Sequence, residues 1–185
     1  MITGKEEKEK SEENATKGIL QGKKIIISLQ SDADSLAQSG YGVRVEKTKL
    51  SLALFEALYL VSEKRLCVVS EDHEIDFQEL LRKSRTEDPD IWSKYVLYRD
   101  LRSRGYVVRE GSIGKLGFRV YERGTYPKKA AKYEVFSVRE GDPVSVSHLN
   151  EVLRSAEGAK KKLIVAVIDR HGEIVYYSLT QYNPY

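Results

Sequence analysis

The spacing of apolar positions changes along the chain, and it predicts different elements on either side of Gly105. Before this glycine, residues 24–29 and 66–69 are short apolar runs rich in β-branched residues, which are typical of buried strands. Residues 50–60 are rich in strong helix formers, so a helix is predicted there. The polar, glycine-containing residues 30–42 predict a loop between these elements.

A long helix and a series of strands are predicted around and after Gly105. Pro89 between two aspartates favours a helix start, residues 91–101 continue at helical spacing, and Gly105 supplies the stop. The strand-like stretches that follow are residues 106–109, 118–121, 133–138, 163–169 and 174–179. Between the third and fourth, residues 147–159 repeat apolar positions at intervals of three and four, which predicts one helix. The order βββαββ defines a compact unit with a helix on one sheet face.

These patterns divide the chain into three segments. Residues 1–18 are dominated by Lys and Glu without apolar periodicity, which predicts a disordered charged arm. Residues 19–90 predict a small N-terminal mixed α/β domain, and residues 91–185 predict a compact C-terminal βββαββ domain. The expected fold class is α/β (α+β), with the helix that begins near residue 91 bridging the two domains.

The composition is that of a globular protein. Of 185 residues, 41% are hydrophobic and 32% charged, which excludes the disordered, collagen-like and coiled-coil classes. No apolar run approaches the roughly 18–20 residues that a membrane span needs, and the charged N-terminus lacks a signal peptide. A single cysteine, Cys67, excludes an internal disulfide framework. We therefore expect a soluble, cytoplasmic protein without a membrane partner.

The charge is unevenly distributed. The net charge is only +3, but residues 94–139 contain twelve Lys and Arg against four Asp and Glu. Such a segment favours binding to a polyanion. A salt-bridge-rich surface of a heat-adapted protein explains the same composition, and composition alone leaves both interpretations open.

Common cofactor and metal motifs are missing. The sequence has no Walker A loop, no G-x-G-x-x-G after a strand, no HExxH and no paired cysteines. The histidines His73, His148 and His171 are far apart and lack acidic neighbours at metal-ligand spacing on a helix. We expect no metal and no cofactor.

Three polar residues at element ends remain as candidates for chemistry. Tyr121 ends a predicted strand, Arg154 lies on the predicted C-terminal helix, and Lys161 is the middle residue of a lysine triplet after it. Each has an ordinary structural explanation, because strand-end tyrosines pack with wet hydroxyls and lysines after a helix complement its dipole. Spacing alone does not decide between catalysis and structure.

Several motifs together resemble the archaeal tRNA-splicing endonuclease (tRNA-intron lyase) family. They are YRDLRSRG at 98–105, FRVYERG at 118–124, KYEV at 132–135 and KKKLIVAVID at 160–169, with weaker GYG and LSL…EALYL matches at 40–42 and 50–60. The resemblance covers most of residues 24–182. It implies a C-terminal catalytic nuclease domain in residues 91–185.

The resemblance also implies a reaction. The family cleaves precursor tRNA at bulge-helix-bulge introns without a metal, through attack of a 2′-OH that leaves 2′,3′-cyclic phosphate and 5′-OH ends. Its members use a tyrosine, a histidine and a lysine. Tyr121 matches the tyrosine, the expected base, and Lys161 matches the lysine that stabilises the phosphorane. Arg154 resembles an arginine that stacks on a bulged base.

The histidine position of the family is occupied by Ala130 in this chain. Alanine cannot donate a proton, so the polypeptide is expected to cleave poorly. Because Tyr121, Arg154 and Lys161 are retained, a catalytic subunit inactivated by alanine is the preferred interpretation. A naturally non-catalytic structural or RNA-binding subunit of the same heteromeric enzyme is the alternative, and an unrelated basic nucleic-acid-binding module is a more remote one.

The resemblance implies partners as well. A two-fold assembly with a second endonuclease subunit is expected, as a dimer of heterodimers, together with precursor tRNA. The acidic loop with Asp169 and Glu173 is expected at the subunit interface. Arg44, Lys47 and Lys49 lie close after a glycine loop and are predicted to reach RNA, while an ordinary solvated loop explains each of them taken separately.

Overall fold

The computed structural model describes residues 15–111 and 117–182, and these divide into two compact units, residues 15–95 and 96–182. Each unit is built on one mixed sheet with helices. The expected α/β (α+β) class is confirmed.

The first unit contains six strands. Its elements are β1 (Thr16–Gln21), β2 (Lys24–Ile27), α1 (Gln30–Gln38), β3 (Val43–Arg44), β4 (Leu50–Ala53), α2 (Leu54–Ser62), β5 (Leu66–Ser70), β6 (His73–Ile75) and α3 (Phe77–Glu87). The strand order is β3-β4-β2-β1-β5-β6, with β1 and β5 parallel and the other pairs antiparallel. Alternate residues of β2 and β4 form its core: Ile25, Ile27, Leu50 and Leu52 are fully buried.

Three expectations for this part of the chain are wrong. Residues 30–42 are not all loop, because α1 buries Ala33 and Leu36 at helical spacing. Residues 50–53 form a strand rather than the start of a helix, since β4 pairs with β2 along its whole length. Residues 16–18 belong to β1 and not to a disordered arm, while residues 1–14 of that predicted arm lie outside the described residues.

The second unit contains the βββαββ order that the sequence predicts. Helix α4 (Ile91–Ser103) leads into it, followed by β7 (Val107–Glu110), β8 (Gly117–Tyr121), β9 (Tyr133–Arg139), α5 (Val146–Gly158), β10 (Lys162–Ile168) and β11 (Ile174–Leu179). The strand order is β11-β10-β9-β8-β7, and only β9 and β10, which α5 connects, are parallel.

The sheet of the second unit is covered by a helix on each face. Helix α5 packs Val152 and Leu153 against Phe136 and Leu163. Phe118 points to the opposite face, because side chains alternate along a strand, and its ring lies 6.0 Å from that of Tyr98 in α4. The sheet therefore has an α5 face and an opposite α4 face, and successive residues of each strand alternate between them.

Two kinds of feature are missing from the part of the chain that the structure describes. No helix there is both long and apolar enough to cross a membrane. No group of three or more His, Cys, Asp or Glu side chains in residues 15–111 and 117–182 is arranged to hold a metal ion.

Candidate active site

The β8–β9–β10 ladder brings Tyr121 and Lys161 to the same end of the sheet. The N–H of Lys132, which lies between them, donates to the carbonyl of Val120 at 3.0 Å, and its own carbonyl accepts from the N–H of Lys162 at 3.0 Å. Neighbouring strands are about 4.8 Å apart, so the backbones at Tyr121 and Lys161 are separated by about 10 Å, two strand spacings. Two positions forty residues apart in sequence are thus close in space.

Tyr121 is a half-buried residue at the end of β8. It lies three residues after Phe118, whose ring is on the opposite face, so alternation along β8 places Tyr121 on the α5 face. The ring of Tyr126, in the following loop, packs edge-on against it with centroids 5.0 Å apart and an interplanar angle of 84°. This packing restricts the orientation of the Tyr121 phenol.

The backbone of Lys161 is fixed by the end of α5. Lys160 adopts a left-handed conformation with φ 55°, and its N–H donates to the carbonyl of Glu157 at 2.8 Å. The N–H of Lys161 donates to the carbonyl of Ala156 at 2.9 Å. These two bonds form a Schellman motif, so the backbone position of Lys161 is set by the helix itself.

The side chain of Lys161 is fixed by a buried carboxylate. Its Nζ lies 2.9 Å from Oε2 of Glu134, whose side chain is fully buried, while that of Lys161 is 15% exposed. Glu134 pairs with Leu163 across the parallel ladder and so shares the α5 face. Sequence reasoning missed Glu134. A glutamate at an inward position of the otherwise apolar run in β9 was the signal that could have found it.

Ala130 lies on the exposed loop between β8 and β9. It is two residues from Lys132, so its Cα lies at most about 7 Å from that of Lys132. The structure therefore places Tyr121, Ala130 and Lys161 around one end of the sheet. The methyl group of Ala130 cannot supply a proton.

Lysines dominate the charge at this end of the sheet. Glu122 forms an ion pair with Lys132, and this hydrogen bond is the main reason that the pKa of the Glu122 carboxyl is held below its ordinary value. Burial opposes this as the second-largest effect, and the positive charges of Lys132, Lys129 and Lys162 then lower the pKa further. A site surrounded in this way attracts an anion such as an RNA phosphate.

Arg154 is exposed on α5. Its neighbours Leu153 and Ala156 are buried and pack on the sheet, whereas Arg154 lies outside this buried stripe. It lies about two helical turns before Lys161 and keeps its guanidinium accessible. Its role in RNA binding stays a prediction.

The three basic residues predicted to reach RNA from the first unit all belong to one hairpin. Arg44 forms an ion pair with Asp34 and donates to the carbonyl of Lys47 at 3.0 Å. Lys49 lies 3.0 Å from Glu46. Each of these contacts has a local structural function, and binding to RNA stays a prediction.

Asp169 organises the turn between β10 and β11. Its Oδ1 accepts hydrogen bonds from the backbone N–H groups of His171 and Glu173, both at 2.8 Å. Gly172 provides the positive φ of 83° that the turn requires. Asp169 therefore shapes the loop, whereas Glu173 is exposed on it. Their place at a subunit interface stays a prediction.

Two family models match this chain. Residues 91–176 match the tRNA intron endonuclease, catalytic C-terminal domain, and residues 16–81 match the tRNA intron endonuclease, N-terminal domain. Together they cover most of the sequence. The chain belongs to the tRNA intron endonuclease family, as its motifs indicate.

Similar proteins are archaeal and are named tRNA-splicing endonuclease. The one from Methanothermobacter thermautotrophicus is 34% identical over 148 residues, which cover 80% of this chain and 85% of that protein. The one from Pyrococcus abyssi is 33% identical over 140 residues, which cover 76% of this chain and 80% of that protein. The one from Methanosarcina acetivorans is 32% identical over 166 residues, covering 89% of this chain and 46% of that protein. The chain thus spans about half the length of its Methanosarcina relatives.

Proposed function

We propose that this chain is a subunit of an endonuclease that cuts precursor tRNA at bulge-helix-bulge introns. The observation that carries the proposal is the placement of Tyr121 and a half-buried, ion-paired Lys161 at one lysine-rich sheet end in a protein of this family. A second endonuclease subunit completes the assembly as a dimer of heterodimers.

The reaction needs two proton transfers and one stabilised anion. The 2′-oxygen forms a bond to phosphorus, and the bond from phosphorus to the 5′-oxygen breaks, which leaves a 2′,3′-cyclic phosphate and a 5′-OH. Tyr121 acts as the base that takes the proton from the 2′-OH. The ammonium of Lys161 stabilises the negative charge on the phosphorane oxygens. The attacking group belongs to the substrate, so its position is set when the RNA binds.

The group that protonates the 5′-oxygen is missing at Ala130. General acid catalysis raises the rate of such reactions roughly 10²- to 10⁴-fold, so this chain, with Ala130, cleaves slowly. The retention of Tyr121, Arg154 and Lys161 together favours a catalytic subunit that lacks only its acid, because a structural subunit has no use for all three. Ala130 itself favours the alternative, a non-catalytic structural or RNA-binding subunit.

Cleavage of a precursor tRNA with a bulge-helix-bulge, in EDTA, separates the two. The parent chain is compared with Ala130→His, each alone and with a co-purified partner subunit. For a catalytic subunit, Ala130→His cuts at least 100-fold faster than the parent and leaves 2′,3′-cyclic phosphate ends, and adding Tyr121→Phe abolishes the gain. If neither protein cuts in any pairing, the chain is a structural subunit.

A further inference from the structure

Glu134 is a buried charge that the proposed reaction does not use. In the part of the second unit that the structure describes, it is the only charged residue in the buried class, with 0% of its surface exposed. Burying a carboxylate is unfavourable unless a cation and hydrogen bonds compensate it. A glutamate at this position therefore needs a reason beyond packing.

The surroundings of Glu134 are shaped to hold its carboxylate in one place. Oε2 accepts from Nζ of Lys161 at 2.9 Å. Oε1 lies against Gly111, where an added Cβ would come within 2.8 Å of it and within 2.8 Å of the Gly117 backbone. A side chain at residue 111 would therefore displace the carboxylate. The absence of a side chain there leaves the room that Glu134 occupies.

We propose that Glu134 is a positioning residue for Lys161, holding the ammonium at the sheet end where Tyr121 lies. The inference rests on the proposed function, in which Lys161 stabilises the phosphorane. An ammonium has three N–H donors, so one hydrogen bond to Glu134 leaves two for phosphate oxygens. Glu134 is fully buried and does not touch RNA. It acts by restricting a long side chain that would otherwise sample many rotamers.

The first test needs no cleavage activity. The folded chain is treated with limiting N-hydroxysuccinimide acetate, and acetylation of Lys161 is compared with that of its exposed neighbour Lys162 by mass spectrometry. In the parent, we expect Lys161 to react more slowly than Lys162. We expect Glu134→Gln to raise the Lys161 to Lys162 ratio at least fivefold, and Glu134→Asp to raise it less. Glu151→Gln removes an exposed carboxylate from α5 and should leave the ratio unchanged.

The second test uses the Ala130→His background under single-turnover conditions. Glu134→Gln should lower the cleavage rate at least tenfold while the RNA dissociation constant changes less than twofold. Glu134→Asp, which keeps a carboxylate, should recover part of the rate. A purely structural role would instead change RNA affinity and thermal unfolding together, and Asp would rescue neither. If Glu134→Gln fails to fold, Glu134→Asp alone carries the comparison.

The outcomes separate this inference from the proposed function. If Ala130→His does not cleave in any pairing, the catalytic function is overturned, and the acetylation ratio decides by itself whether Glu134 holds Lys161. If Ala130→His cleaves and Glu134→Gln leaves both the rate and the ratio unchanged, Glu134 is not a positioning residue and the function stands.

Discussion

Among the described residues each unit buries one glutamate: the carboxylate of the first contacts two backbone N–H groups, and that of the second contacts a side-chain ammonium. Among the residues described, Glu56 and Glu134 are the only carboxylates in the buried class. Glu56 accepts from the backbone N–H of Gly42 at 3.1 Å and from that of Ala53 at 2.9 Å. Glu134 accepts from the ammonium of Lys161. Backbone donors are part of the fold, whereas a side-chain ammonium also has donors to offer a ligand, so we assign Glu56 to stability and Glu134 to the site.

Helix α2 before β5 and helix α5 before β10 end in the same backbone motif. The residue that follows the motif makes different contacts in the two units. Lys64 after α2 and Lys160 after α5 both have φ 55° and close a Schellman motif. The guanidinium of Arg65, the next residue in the first unit, lies 5.4 Å from the Tyr41 ring centroid. Lys161, its counterpart in the second unit, pairs with a buried carboxylate. The same backbone geometry thus presents a stacking cation in one unit and a candidate catalytic cation in the other.

The largest effect on stability is expected at Glu56. Glu56→Ala removes the acceptor from two backbone N–H groups, and we expect a loss of about 4 kcal/mol, since each buried unsatisfied donor costs about 1–3 kcal/mol. Urea unfolding followed by circular dichroism measures it. Glu63→Ala, at the exposed end of the same helix, should change stability by less than about 0.5 kcal/mol. A loss at Glu56 as small as that of the control would contradict its structural role.

A smaller loss is expected when the ion pair of the second unit is broken from the lysine side. Lys161→Met removes a cation from a fully buried carboxylate, which should cost about 3 kcal/mol. The double variant Lys161→Met/Glu134→Leu should return to within about 1 kcal/mol of the parent, because it removes both charges. When this double variant is combined with Ala130→His, it should still not cleave, because the ammonium of Lys161 is missing. Additive losses in this double-mutant cycle would show that the two side chains are not coupled.

The smallest effect is a gain, and it should be equal in the two units. A non-glycine residue in the left-handed conformation is strained, so Lys64→Gly and Lys160→Gly should each stabilise the protein by about 0.5–1 kcal/mol. Thermal unfolding measures both variants. Lys162→Gly, in an exposed strand position, is the control and should destabilise instead. A loss of stability in either helix-end variant would mean that its lysine side chain makes a compensating contact.

The fold of the second unit could be predicted more completely than that of the first. Its strands are short runs rich in β-branched and aromatic residues, and Gly105 marks the end of the long helix, so local pattern and final structure agree. In the first unit, α1 buries only Ala33 and Leu36, a stripe too short to stand out from a polar segment. Leu50–Ala53 consists of residues that favour or tolerate helices, and only pairing with β2 makes it a strand.

The sequence by itself determined the family and the fold class and predicted Tyr121, Ala130 and Lys161 as site residues, because these depend on motifs that are contiguous in the chain. Only the tertiary structure decided what surrounds them. Glu134 and Lys161 are 27 residues apart, and they meet because α5 brings β10 back parallel to β9 in a register that pairs Glu134 with Leu163. That register decides which charged group Glu134 contacts. The sequence of either strand alone does not specify the register, because it depends on how the two distant strands pair.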